Sequence, residues 1–431
     1  MESFCHLQDL PWEIIMKVLM FLPVEALVCL MCVSKFWYSF IASREFINHH
    51  FQASYNGGNK FLLSGPNIIC GNPLKRFKSL LYMNPLDISC MKKIPCQIDS
   101  NCCQIVSSCA GLVCLTDPDR YGVIIHLWNP FIRKSLKITS SSIGVENFTF
   151  DDFTQLVLGF GYIFETNEHK IVRIVYVEEP DDEEEEDDFF HARNMIAAHN
   201  PGQVVISSYF LDASTSVASQ NVTHVEVFSL KTNTWREIKA PNVALWYLCD
   251  SFSRAFLNNC VHWRAFRKDD TMDAPVILSF DFLNEVFGEV KLPDQYNFQV
   301  SVINEVTVYN GKLSFLTAEN LYTTDQQRCS FFIMDEYGNQ SSWSTVFNVV
   351  LNGIIHVPTM ITVEDEIAYV KSNVDEGTIE LYLHNFRSNE TRAFGKNLME
   401  GADNLDFLPM MSSLIMLDPK NEFMEIDEEK L

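Results

Sequence analysis

The sequence predicts a small α-helical unit at the N-terminus followed by a large all-β domain, which reads as a β-propeller of six or seven blades. Three observations carry that expectation. Apolar residues recur at helical spacing from Leu10 to Phe51. Beyond residue 60 the pattern changes to short apolar runs separated by Asn, Gly, Asp and Ser, as strands joined by hairpins require. Within that region a hairpin unit recurs at intervals of about 50 residues, the period of kelch-type propeller blades.

The totals agree with this division. A chain of 431 residues exceeds one ordinary single-core domain. Its 47% hydrophobic and 13% aromatic content suffices to bury a large core. A net charge of -24 disfavours nucleic acid and anionic lipid as direct partners and favours a basic protein. The 13 cysteines are odd in number and scattered, with Cys102 and Cys103 adjacent, so they read as reduced thiols of the cytoplasm, or also of the nucleus. No stretch approaches the roughly 20 apolar residues of a membrane span, and the first residues lack the basic and apolar regions of a signal peptide.

The helical unit is expected over residues 1–52. Asp9 stands at an N-cap position with Pro11 in the first turn, where a missing N–H costs nothing. Ile14, Ile15, Val18, Leu19 and Leu22 then form one apolar stripe. Pro23 ends this helix and opens a second carrying Val24, Leu27, Leu30 and Met31. Ser34 caps a third with Phe36, Trp37 and Phe40, and Ser43 a fourth that runs to Phe51. His49 and His50, at the end of that helix, are expected at the surface. So small a unit cannot bury all its apolar surface alone. That surface meets either a partner or the protein's own main domain, and periodicity does not choose between them.

The β domain is expected over residues 60–416, with an acidic tail at 417–431. Its clearest hairpin runs from Val225 to Phe228, turns at Lys231-Thr232-Asn233 and returns from Trp235 to Ile238. Similar hairpins begin near Ile124, Ile277, Phe331 and Leu381, and Lys170–Val175 falls midway in the one double-length interval. Most are preceded by another strand after a tight turn, as at Gly111-Leu112-Val113 and Gly311-Lys312-Leu313. Such units make four-stranded blades, and a two-sheet sandwich is the competing arrangement. On the propeller reading Trp128, Trp235, Phe287 and Trp343 pack between blades.

The run Glu178, Glu179, Asp181, Asp182, Glu183, Glu184, Glu185, Glu186, Asp187 and Asp188, broken only by Pro180, is expected in a solvated loop spanning about 178–200. It is either a solubilising insertion or an electrostatic lure for a basic partner. Cys102, Cys103, Cys109 and Cys114, and His191 and His199, lack the paired spacing of a zinc site. No nucleophile elbow, phosphate loop or H-E-x-x-H is present, so no metal, cofactor or catalytic residue is assigned.

Two stretches carry family likenesses. Leu10-Pro11-Trp12-Glu13-Ile14-Ile15, the Leu22-Pro23 doublet and Val33-Ser34-Lys35-Phe36-Trp37 with Phe40-Ile41 resemble the F-box, the motif that docks onto the Skp1 adaptor of cullin-type ubiquitin ligases. The resemblance implies that Leu10, Pro11, Ile14, Ile15, Leu19, Pro23, Leu27 and Val33 lie at or near the adaptor interface, with Trp37 internal. Leu127-Trp128-Asn129-Pro130-Phe131-Ile132-Arg133-Lys134, the Gly111-Leu112-Val113 turn, Gly159-Phe160-Gly161-Tyr162, Lys170-Ile171-Val172-Arg173 and Val225-Glu226-Val227-Phe228 with Trp235 resemble the plant F-box-associated domain, nearest to S-locus F-box proteins and their relatives. That likeness implies a non-catalytic substrate receptor of a Skp1-cullin-F-box (SCF) ubiquitin ligase. In S-locus members the targets are basic secreted ribonucleases, the S-RNases of pollen self-incompatibility. A receptor of the same build that binds glycans or small ligands is the rival reading.

Overall fold

The computed structural model describes residues 11–54, 60–64, 80–84, 87–94, 104–116, 124–138, 141–143, 153–177, 222–239, 246–248, 253, 255–267, 274–296, 301–321, 326–352, 355–362, 366–373, 378–400, 406–410, 413–415 and 417. Helices α1 (Trp12–Phe21), α2 (Val24–Met31), α3 (Lys35–Ile41) and α4 (Arg44–Ser54) fill the first stretch. Their starts follow local chemistry. Pro23 and Ser34 hold cap positions as the sequence suggested, and the Ser34 hydroxyl accepts from the Trp37 amide at 3.2 Å. Ser43 Oγ accepts from the Phe46 amide at 3.3 Å and donates to the Phe40 carbonyl at 2.7 Å, joining α3 to α4. At α1 the cap is Pro11 itself, not a residue before it. Its extended ψ of 140° lets its carbonyl accept from Ile14 and Ile15.

The strands form six antiparallel sheets among the described residues. The second blade in chain order comprises Gln104–Cys109, Leu112–Thr116, Ile125–Asn129 and Lys134–Ile138. The third comprises Phe153–Ile163, Glu168–Val177, Val222–Ser229 and Thr234–Ile238. The fourth runs from Trp246–Leu248 and Ala255–Leu257 through Cys260–Arg267 and Ala274–Asp281 to Val286–Lys291. The fifth has Ser301–Tyr309, Lys312–Leu321, Gln326–Met334 and Trp343–Asn352. The sixth has Ile355–Thr362, Glu366–Asn373, Thr378–Asn385 and Glu390–Glu400. In the first, Asp406–Met410 pairs with Lys60–Ser64, beside Leu80–Asn84 and Asp87–Ile94, so both ends of the β region close one sheet.

Gln104–Cys109 adjoins Phe153–Ile163, which adjoins Cys260–Arg267, and Ala255–Leu257 adjoins Ser301–Tyr309, while Asp406–Met410 lies beside both Gln104–Cys109 and Ile355–Thr362, which closes the ring. This is a propeller and not a sandwich. Lys170–Val175 proves to be second-strand sequence of the third blade. The double-length interval therefore comes from residues 178–221 inserted between that strand and Val222, not from an extra blade. Apolar clusters join the second blade to the third, the third to the fourth, the fourth to the fifth and the fifth to the sixth. Trp235, Phe287 and Trp343 lie in or against these clusters, and Trp128 is buried. The Trp343 indole donates to the Lys291 carbonyl of the preceding blade at 2.9 Å.

The two ends of the ring differ. At one end, the short-turn end, the first and third strands stop and the second and fourth begin. Backbone with positive φ at Ala110, Gly111, Asn258, Asn259, Asn310 and Gly311 makes its two-residue turns. At the other end the second strands stop and the third strands begin, Val177 and Val222 among these ends.

Two histidines are sealed within this architecture. His169 lies against the rings of Phe160 and Tyr162, and His262 bonds the Ala255 carbonyl and the Tyr337 hydroxyl. Burial lowers each pKa to about 4 from an ordinary 6.5, against smaller raising contributions from backbone bonds to Cys109 and Ala255. Between those values the unfolded chain binds protons that the fold refuses. The stability these neutral rings contribute is therefore complete above pH 6.5 and is lost as pH falls toward 4, at about 1.4 kcal/mol per pH unit for each histidine. Urea unfolding across this window should show His169→Gln with a pH slope smaller than wild type by about one proton. Equal slopes would place the acid sensitivity elsewhere.

Candidate functional site

The helical unit has two apolar faces with different fates. One forms a core of Leu19, Val24, Leu27, Met31, Phe40, Ile41, Phe46 and Ile47, together with Leu414 from the far end of the chain. Phe131, Ile132 and Ile415 pack against it, so this face rests on the short-turn end of the propeller. Arg44 of α4 donates to the Thr166 carbonyl in a turn of the third blade at 3.2 Å. His50 is buried here, contrary to the surface position expected for it. Its Nε2 bonds the Leu22 carbonyl at 2.9 Å across the end of α1, and burial lowers its pKa.

The other face is open. Ile14, Val18 and Phe21 follow one another along α1 at 43%, 53% and 88% exposure, and Val33 and Phe36 at the start of α3 stand at 70% and 50%. Such a row of large apolar side chains on a folded unit is the signature of a surface that a partner covers. Of the two alternatives, the protein's own main domain accounts for one face and leaves the other exposed among the described residues.

The residues singled out from the sequence sort accordingly. Pro11, Ile14, Pro23 and Val33 are exposed, and Ile15 is partly buried against the helical core. Leu19 and Leu27 are buried and hold the helices together, so they support the open face without forming it. Leu10 lies outside the described residues. Trp37 is partly buried, edge-on to Phe36 and Phe40. Val18, Phe21 and Phe36 were not named as interface residues. Spacing from Ile14 at i+4 and i+7 was the signal that could have found Val18 and Phe21.

Glu178, Glu179, Asp181 through Glu186, Asp187 and Asp188 lie outside the described residues, as do Cys102, Cys103, His191 and His199. Toward the end opposite the helices, a cleft of about 240 Å³ lies on the fifth blade under Gln295 and Tyr296 of the connection that enters it, with Tyr296 and Phe332 beside Glu319, Arg328 and Asn348. The register shift between Phe331 and Phe332 is a bulge that turns Asn348 to the same side as Thr345. Glu319 and Arg328 face one another at 3.8 Å.

Comparison with known proteins matches residues 7–49 to the family described as F-box domain and residues 205–393 to that described as F-box associated beta propeller domain. The F-box protein At3g07870 of Arabidopsis thaliana is 24% identical over 349 residues, 80% of this chain and 73% of that protein. The F-box protein CPR1 of the same plant is 22% identical over 349 residues, 79% of this chain and 73% of that protein. Among solved structures, hydrazine synthase of Kuenenia stuttgartiensis aligns with a TM-score of 0.42 at 9% identity, over 83% of this chain and 47% of that one.

Proposed function

We propose that this chain, an F-box protein with an F-box associated β-propeller domain, is the substrate receptor of an SCF ubiquitin ligase. Its helices hold a Skp1-type adaptor and, through it, a cullin. Its propeller holds a target protein. The other subunits supply the ubiquitin chemistry, so this chain acts by raising the effective concentration of target near the transfer machinery. The observation that carries the reading is the open stripe of Ile14, Val18 and Phe21 on a unit whose other face is already occupied by the propeller.

The target belongs, on this reading, at the end opposite the helices, where the long connections emerge. The net charge of -24 and the run from Glu178 to Asp188 support a basic protein, drawn in electrostatically. S-RNase-like proteins have that chemistry. A receptor for a glycan or small polar ligand is the second reading, and the aromatic and polar lining of the cleft beside Tyr296 and Arg328 favours it.

Titration with a purified Skp1-type adaptor tests the first part. The Val18→Asp, Phe21→Asp variant should fold as wild type, because both side chains are exposed, and should bind roughly 100-fold more weakly, because two apolar anchors become charges. Wild-type affinity in that variant would refute the docking face.

A further inference from the structure

The Asn129-Pro130-Phe131-Ile132 turn has a role that its blade does not explain. Asn129 is completely buried. Its amide nitrogen donates to two carbonyls of the C-terminal segment, Ser413 at 2.9 Å and Ile415 at 3.0 Å, across 284 and 286 residues of sequence. Its side-chain oxygen accepts from the Phe131 amide at 3.0 Å, which sets the turn. Both N–H donors of the side chain are thus spent on joining the turn to the 413–415 segment.

The same segment reaches two cores. Leu414 is buried among Leu19, Val24, Leu27 and Phe46 of the helices, while Leu417, placed by the sequence at the start of an acidic tail, is buried between the second and third blades. Gly111 leaves the passage open. A Cβ there would lie 1.9 Å from that of Ser413, and its φ of +80° suits glycine besides. Phe131 and Ile132 then complete the seat under the helices. The topology explains the meeting. The closing strand ends at Met410 at the short-turn end of the ring, opposite Lys60, the strand start nearest after α4.

We infer that Asn129 is a positioning residue, and that the Asn129–Ile132 turn and residues 413–415 with Leu417 form a fixed joint that sets the angle between the adaptor-binding helices and the propeller. The proposal rests on the receptor reading only for its consequence. A receptor that works by proximity must hold its target at a defined place, and a joint cross-linked at both ends does so where a single connecting strand would swing.

The test uses the full-length chain as Asn129→Ala, Leu414→Ala and the volume-conserving Leu414→Met. Hydrogen exchange is read without adaptor. Both alanine variants should exchange about tenfold faster at amides 40–50 and at those of residues 129, 131 and 132, with Gln326–Met334 unchanged and Leu414→Met like wild type. In the assembled ligase, both should keep wild-type adaptor affinity while self-ubiquitination spreads over more lysines of the chain. Unchanged exchange at the helices, acceleration that includes Gln326–Met334 equally, or an unaltered set of modified lysines would overturn the joint. A wild-type chain that fails to bind adaptor would sink the receptor reading alone, since the exchange result decides the joint without it.

Discussion

Glu226→Ala is expected to cost about 3–5 kcal/mol of stability in chemical unfolding. Glu226 is completely buried and pairs with Arg173, itself 1% exposed, across adjacent strands of the third blade. The carboxylate also accepts from the Ser142 amide at 2.9 Å, the Ser142 hydroxyl at 2.6 Å and the Ser141 hydroxyl at 3.1 Å, which ties the connection from the second blade to the third. Removing it leaves the Arg173 guanidinium buried without its counter-charge, although still stacked on Trp235 at 4.2 Å. That uncompensated charge is the source of the cost, not the net worth of the pair. The double variant Arg173→Met, Glu226→Leu should therefore recover most of the loss, since apolar replacements of similar size are often neutral. Failure to recover would mean that the bonds to Ser141 and Ser142 matter more than the charge.

Gly159→Val should destabilise by about 1–3 kcal/mol or more. The strand Phe153–Ile163 lies against the fourth blade, and a Cβ on Gly159 would stand 2.7 Å from the Trp263 ring and 2.8 Å from a methyl of Val261. Trp263 cannot retreat cheaply, because its indole donates to the Leu158 carbonyl at 3.1 Å and it is buried in the cluster between the two blades. Gly311→Ala makes the control. Nothing lies within 4 Å of its Cβ position, so only the backbone strain of its φ of +72° is incurred, roughly 1 kcal/mol. Equal losses at the two sites would show that the third and fourth blades yield more readily than their packing suggests.

Local elements were legible because their signals are local. The caps at Pro23, Ser34 and Ser43 and the hairpin at 225–238 each lie within a few residues of what they determine. The apolar periodicity of the helices was equally plain. Yet a stripe states that a face is apolar without stating what covers it, so Leu19 and Leu27 could not be separated from Ile14 and Val33. His50 was misplaced for a related reason, since its partner, the Leu22 carbonyl, is 28 residues away. Asn129 and Gly159 were visible as members of a familiar pattern, but their reasons lie on other strands. The acidic run remains legible only as charge, because it falls outside the described residues.

The most direct measurement of the central claim is a hydroxyl-radical footprint of the chain with and without a Skp1-type adaptor. The account predicts that Phe21 and Phe36 lose reactivity in the complex, while Tyr296 and Val350 at the opposite end of the propeller keep theirs. Protection of Tyr296 and Val350 with Phe21 left open would contradict it, placing the adaptor where the target should be.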